Sequence, residues 1–228
     1  MSIVNEIKDI KNKYMPKYTV GEERFNMISH IVGGGLGLIA LIFCVIVAAY
    51  NQHTWGILSG IIYGVSAIVL FTMSSLYHGL KMGKPKRVFR ILDHCAIFVL
   101  IAGTYTPILL GRFREVYPVD AWVLFSIIWS VAITGIVLNA INLKKFAKIS
   151  FVCYLTLGWA AIFRIESLIH VLGVNFFILI AVGGALYTVG ALFYVIGSKK
   201  KYMHSVFHVF VVVASVFHSI AIAMYTMA

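Results

Sequence analysis

Long apolar runs separated by short polar connectors dominate the pattern along the chain. A bilayer core is about 30 Å thick, so a helix that crosses it needs roughly 20 consecutive apolar residues. Seven segments meet this requirement approximately, at 27–49, 55–78, 91–110, 120–141, 149–169, 175–197 and 203–226. The pattern therefore predicts an all-α protein, a bundle of seven transmembrane helices.

The fifth segment is the weakest of the seven, because Arg164 and Glu166 interrupt it. Charged side chains at the middle of a bilayer are costly. The favoured interpretation places Arg164 near the far interface, with residues 167–172 lying at the headgroups. The alternative is a pair of charges that faces the interior of the bundle.

Composition supports a lipid environment. The chain is 61% hydrophobic and 12% charged, whereas soluble domains carry about 25% charged and roughly 45–50% apolar residues. The short connectors leave no room for a separate soluble domain. We therefore expect a short cytoplasmic segment at residues 1–25 and one transmembrane domain at residues 26–228.

The formal net charge of +11 resides in short Lys and Arg clusters between the apolar runs. Nucleic-acid-binding proteins instead gather basic residues on one face of a domain, so we expect membrane lipids and no nucleic acid as partners. The pattern leaves the oligomeric state open.

The basic residues are divided unequally between the two sides of the predicted bundle. Only Arg112 and Arg114 fall in the opposite connectors, with Arg164 near that side. Because basic residues favour the cytoplasmic side, the bias predicts a cytoplasmic N-terminus and an extracytoplasmic C-terminus in a multi-pass protein of the cell membrane. Sixteen basic residues fall in the N-terminal segment and the even connectors: Lys8, Lys11, Lys13, Lys17, Arg24, Lys81, Lys84, Lys86, Arg87, Arg90, Lys144, Lys145, Lys148, Lys199, Lys200 and Lys201.

Small residues recur every four positions on the first two helices. They are Gly33 and Gly37 on the first, and Gly56, Gly60 and Gly64 on the second. Small residues at this spacing let helix backbones approach closely in lipid. We interpret them as packing positions rather than as a ligand site.

Two histidines open the seventh predicted helix. His204 and His208 are four residues apart, which places both imidazoles on one helix face about 6 Å apart along the axis. Imidazole nitrogens are common zinc ligands. The spacing alone is a weak signal, since most such pairs bind no metal.

The predicted topology adds two further groups at the same depth. His78 ends the second helix and Asp93 opens the third, so both share the cytoplasmic leaflet with the start of the seventh. Three histidines and a carboxylate at one depth are what an open catalytic zinc site needs, with three protein ligands and a water. His218 is excluded, because it lies 14 residues beyond His204, roughly 21 Å along the helix.

Glu23, Asn26 and His30 lie on one face at the start of the first helix, in the same leaflet. Two interpretations stay open for them. They are partners that support the metal ligands, or they are a helix cap and an interfacial anchor.

Together these motifs resemble the progestin and adipoQ receptor family across essentially the whole chain. The short chain is most similar to the bacterial members, the hemolysin III-like proteins, and residues 204–218 are similar to the last helix of adiponectin receptors. The motifs that carry the resemblance read Glu23-x-x-Asn26-x-x-Ser29-His30, Ser74-x-x-x-His78, Asp93 and His204-x-x-x-His208.

The resemblance implies a role for each matching residue. His78, His204 and His208 would be ligands of a Zn²⁺ ion. Asp93 would hold the water that the zinc activates, and Ser74 would sit beside it. The family also resembles alkaline ceramidases, which implies hydrolysis of lipid amide bonds.

Three classes of function follow. A membrane hydrolase would use zinc to activate water, Asp93 as general base and an apolar cavity for an acyl chain of a lipid substrate. A non-enzymatic receptor or sensor of membrane homeostasis would keep zinc as a structural clamp. A pore-forming hemolysin or channel is implied by the family label, although no predicted helix carries a regular polar stripe.

Overall fold

The structure, a computed structural model, describes residues 15–197 and 200–227. This part of the chain is helical throughout and contains no strand, as the apolar pattern predicts. Most of the predicted segment 1–25 lies outside the described residues. The same holds for four members of the predicted cytoplasmic basic set: Lys8, Lys11, Lys13 and Lys199.

Helices follow one another with short connections. Six helical stretches of the described chain are long and apolar enough to cross a membrane. A π-helical turn at Leu109–Phe113 and a short turn at Arg114–Val116 extend the third helix. The helices are α1 Val20–Tyr50, α2 Thr54–Gly79, α3 Lys84–Ile108, α4 Pro118–Gly158, α5 Ile165–Leu172, α6 Val174–Gly197 and α7 Met203–Tyr225.

The 41-residue helix α4 reverses direction at Asn142, whose backbone is non-helical (φ −159°, ψ 87°). Asn139 Oδ1 accepts a hydrogen bond from Ser150 Oγ at 2.6 Å, and Asn139 Nδ2 donates to Tyr154 Oη at 3.1 Å. Eleven residues of straight helix would span about 16 Å, so the Asn139–Ser150 contact requires the second half of α4 to fold back on the first. The two halves, 118–141 and 143–158, correspond to the fourth and fifth predicted segments.

The fifth predicted segment is shorter as a helix than the apolar run indicates. Its helix ends at Gly158, and a 3₁₀ helix at Ala160–Arg164 separates it from α5. Arg164 forms an ion pair with Asp120 in the first turn of α4. This pair places Arg164 at the end of the bundle where α4 begins.

Two helices begin earlier than the apolar runs. α1 begins at Val20, where Thr19 and Glu22 form a reciprocal capping box, and α3 begins at Lys84. These first turns are polar, so the apolar pattern alone does not detect them. The extensions bring Glu23 and Lys86 into helices.

The packing of α1 against α2 depends on the small residues noted above. A methyl group on Gly33 would meet the ring of Phe71, and one on Gly64 would meet Leu41. The predicted packing role of these glycines is confirmed. α1 also packs against α7, α2 against α3, α3 against α4, and α6 against α7, so the starts of α1, α3 and α7 and the end of α2 are neighbours.

Candidate metal centre

Two imidazoles meet at the start of α7. His204 and His208 are both buried, and their Nε2 atoms lie 3.1 Å apart. The helical spacing of four residues sets their rings side by side, as the sequence predicts. The two nitrogens therefore point at a common position.

His78, at the end of α2, supplies a third nitrogen. One ligand atom from each of His78, His204 and His208 lies within 4.8 Å of the others. The His78 side chain has no solvent exposure, and no described residue forms a hydrogen bond with its Nε2. We call these three residues the His triad. A buried imidazole nitrogen without a partner is costly, and a metal ion would satisfy it.

The His triad fits a zinc ion. Zinc binds imidazole nitrogen at roughly 2.0–2.1 Å in tetrahedral geometry, which places two ligand nitrogens about 3.3 Å apart. The observed Nε2 separation of 3.1 Å between His204 and His208 is close to that value. Three histidines leave one of four positions open, as in catalytic zinc sites.

Glu23 on α1 orients the His78 ring. Its Oε2 accepts a hydrogen bond from His78 Nδ1 at 2.7 Å. Because a carboxylate accepts, Nδ1 carries the proton and Nε2 keeps its lone pair, the form that binds a metal. The contact favours the supporting role of Glu23 over the role of a simple helix cap.

Lys86 on α3 holds the other oxygen of the same carboxylate. Its Nζ lies 2.8 Å from Glu23 Oε1 and donates to the backbone carbonyls of Tyr77 at 2.9 Å and Leu80 at 3.1 Å. All three ammonium donors of this buried side chain are thus used. Lys86 joins α1, α2 and α3 directly behind His78.

Tyr18 covers the His triad from the segment that precedes α1. Its ring stacks on His204 with centroids 4.8 Å apart and lies 5.6 Å from His78. Burial raises the pKa of the Tyr18 hydroxyl, which therefore stays neutral over the physiological pH range.

A second carboxylate ties the start of α1 to the start of α7. Glu22 Oε1 accepts a hydrogen bond from the Tyr202 backbone N–H at 2.7 Å. Tyr202 has a positive φ of 61° and immediately precedes α7. The contact anchors the turn that leads into His204.

His30 and Asn26 follow Glu22 and Glu23 along α1. The His30 ring stacks on His208 with centroids 3.8 Å apart. Asn26 is completely buried, and its amide nitrogen and oxygen have no hydrogen-bond partner among the described residues. His30 therefore supports a ligand ring by stacking.

Asp93 and Ser74 lie along the cavity that the triad adjoins. Both line it together with His204 and His208, and Ser74 is buried one helical turn before His78. Asp93 Oδ2 lies 3.7 Å from His94 Nδ1. Asp93 is not one of the three clustered ligand residues, so the structure brings it to the cavity rather than into the triad.

The cavity itself has a volume of about 200 Å³ and mostly apolar walls. It runs from His204 and Asp93 at one end to Trp159 and His218 at the other, between α3, the second half of α4, α6 and α7.

The sequence pattern did not single out Lys86 or Tyr18. Lys86 belongs to a basic cluster from Lys81 to Arg90 in which nothing distinguishes it from its exposed neighbours. Tyr18 precedes the first apolar run. The one available signal is that Lys86 lies three residues before Phe89 and seven before Asp93, on the helical face of the predicted site.

Comparison with known proteins agrees with the motifs. The chain is 40% identical over 194 residues to the Hemolysin-3 homolog of Bacillus subtilis (strain 168), covering 85% of this chain and 89% of that protein. It is 40% identical over 192 residues to Hemolysin-3 of Bacillus cereus, covering 84% and 86%. The human monocyte to macrophage differentiation factor is 24% identical over 227 residues, covering 97% of this chain and 91% of that protein.

No solved structure shows a significant match to the chain. The family described as Haemolysin-III related matches residues 18–219, a range that includes every residue of the His triad. With two relatives at 40% identity over most of their length, this integral membrane protein belongs to the Haemolysin-III related family.

Proposed function

We propose that the chain is a zinc-dependent hydrolase of the cell membrane that cleaves an amide bond in a lipid. The observation that carries the proposal is the His triad, in which His78 Nε2 has no hydrogen-bond partner among the described residues and His204 and His208 line an apolar cavity. Three imidazoles with one open position are typical of catalytic zinc sites.

The bound ion would activate a water molecule and polarise a carbonyl group. The residues of the chain supply the rest. Glu23 keeps His78 in the metal-binding tautomer, and Tyr18 and His30 hold the rings of His204 and His208 by stacking. Asp93, at the wall of the same cavity, would accept the proton of the attacking water as general base, and Ser74 lines the same cavity. The apolar walls exclude bulk water and hold the acyl chain.

The proposal includes seven membrane spans with a cytoplasmic N-terminus. The two antiparallel halves of α4 supply one span each, which raises six apolar stretches to seven. The basic residues near the starts of α1 and α3 favour the cytoplasm for the triad end of the bundle.

A second candidate function is a sensor or receptor in which zinc is structural. The burial of all three triad histidines favours it, since a structural zinc site needs no access for a substrate. The hemolysin name of the relatives suggests a pore, which the apolar walls of the cavity do not support.

Release of free fatty acid from a ceramide by the purified full-length protein tests the proposal. We expect turnover that a zinc chelator abolishes and added zinc restores. A zinc-loaded protein without turnover would contradict the hydrolase and favour the sensor.

A further inference from the structure

A second polar group lies deep in the cavity, and the proposed reaction makes no use of it. His218 lines the same cavity as His208 but lies ten residues further along α7, which corresponds to about 15 Å. Between them the cavity is bounded chiefly by apolar side chains, among them Leu100, Ile101 and Val211.

The orientation of the His218 ring is fixed by α6. Its Nε2 lies 3.2 Å from the backbone carbonyl oxygen of Ile180. Because a carbonyl oxygen only accepts, Nε2 carries the proton, and Nδ1 of the neutral ring is then a hydrogen-bond acceptor.

A glycine on α6 makes room for this arrangement. A methyl group on Gly183 would meet His218 Cδ2 and Nε2, so the Cδ2–Nε2 edge of the ring packs directly against the α6 backbone. The opposite edge, which bears Nδ1, therefore faces away from α6. The ring of Tyr187 packs against His218 with centroids 5.3 Å apart and also lines the cavity.

A polar acceptor in an apolar cavity is costly unless it finds a donor. The hydroxyls beside His218 are committed elsewhere, since Tyr187 Oη and Ser215 Oγ pair with each other at 2.6 Å. A hydrogen-bond donor for His218 Nδ1 would come from a ligand in the cavity that His218 lines.

We propose that His218 binds a hydroxyl group on the lipid, remote from the group that lies at the His triad. The ligand class is a long-chain amphiphile with a hydroxyl about 15 Å from its reacting head. This inference rests on the proposed function, because it takes the triad as the head-group site. His208 of the triad and His218 both lie on α7, so the distance between them is fixed. The affinity for such a lipid therefore depends on its chain length.

The test uses three pairs of probes: dodecanoic, tetradecanoic and hexadecanoic acid, each with its ω-hydroxy derivative. Dissociation constants are measured with the zinc-loaded full-length protein in lipid nanodiscs. We expect the ω-hydroxyl to tighten binding roughly 2- to 10-fold at one chain length and little at the others.

His218→Leu should remove the hydroxyl gain and leave the affinity for the plain acids within about 2-fold, which also shows that the variant is folded. The matched control is His170→Leu, because His170 is exposed on α5 and does not line the cavity. The His170→Leu protein should keep the tighter binding of the ω-hydroxy acid.

Equal binding of hydroxylated and plain acids at every length would overturn the inference, as would a gain that survives in His218→Leu or an absence of binding by all six acids. Zinc content measured on the same samples distinguishes a failure of the role of His218 from a failure of the proposed function. A zinc-loaded protein without a hydroxyl gain contradicts only the role of His218, whereas a zinc-free wild type contradicts the proposed function as well.

Discussion

Glu23 Oε2 lies 2.7 Å from His78 Nδ1 and thereby joins the first turn of α1 to the last turn of α2. The carboxylate fixes both the ring orientation and the tautomer of a triad histidine. Partners of this kind contribute to metal affinity without touching the metal.

Glu23→Gln should therefore weaken zinc binding by about 10- to 100-fold, because the amide is a poorer acceptor for the Nδ1 proton and carries no charge. Competition with a chromophoric chelator measures the dissociation constant. Glu166→Gln is the matched control, since Glu166 is exposed on α5, and it should leave zinc affinity unchanged. Equal affinities in both variants would remove Glu23 from the metal centre.

Lys86→Met should also weaken zinc binding, by a smaller factor than Glu23→Gln, since Lys86 acts only through Glu23. A double-mutant cycle tests this route. In the Glu23→Gln background, Lys86→Met should change zinc affinity little. Additive losses would show that Lys86 acts on the site by another path. Lys84→Met, at an exposed position two residues away, is the control and should match the wild type.

Asp93→Asn separates the catalytic interpretation of Asp93 from that of a polar residue in the interior of α3, which begins at Lys84 and not near Asp93 as the apolar run indicated. As the general base, Asp93 should contribute about 10²–10⁴-fold to turnover, so the variant should retain zinc and lose most chelator-sensitive fatty acid release. Asn is nearly the same size as Asp and Asp93 lies in the interior of α3, so stability should change little. Equal turnover in variant and wild type would exclude Asp93 as the base.

A topology with seven spans and one with six predict different locations for the middle of α4 relative to the membrane. With the chain reversing at Asn142, a cysteine at Lys145 should react with an impermeant maleimide from the cytoplasmic side, and a reporter fused after Ala228 should report the exterior. A reporter inserted at Lys84 should report the cytoplasm. Labelling of the Lys145 cysteine only from outside the cell would contradict the proposed topology.

The sequence predicted the helical membrane architecture and the family because both depend on local signals. Apolar runs of bilayer length specify helices, and the i, i+4 spacing of His204 and His208 specifies a shared face. The order of helices across the membrane then places His78 at the same depth, and the structure brings its nitrogen to the other two.

The contacts that support the triad could not be predicted, because they depend on how helices rotate and where they begin. Lys86 reaches Glu23 only because α3 begins at Lys84, ahead of the apolar run. The depth of Asp93 was predictable from the order of the helices, whereas its place in the wall of the cavity depends on the rotation of α3.

The zinc content of the purified protein decides whether the His triad is a metal centre. Elemental analysis of the wild type should give about one zinc per chain, and His204→Ala combined with His208→Ala should abolish it, because one imidazole cannot retain the ion. His218→Ala should leave the zinc content unchanged, since His218 lies about 15 Å further along α7 than His208. Full zinc content in the double variant would contradict the assignment of the His triad as the metal centre.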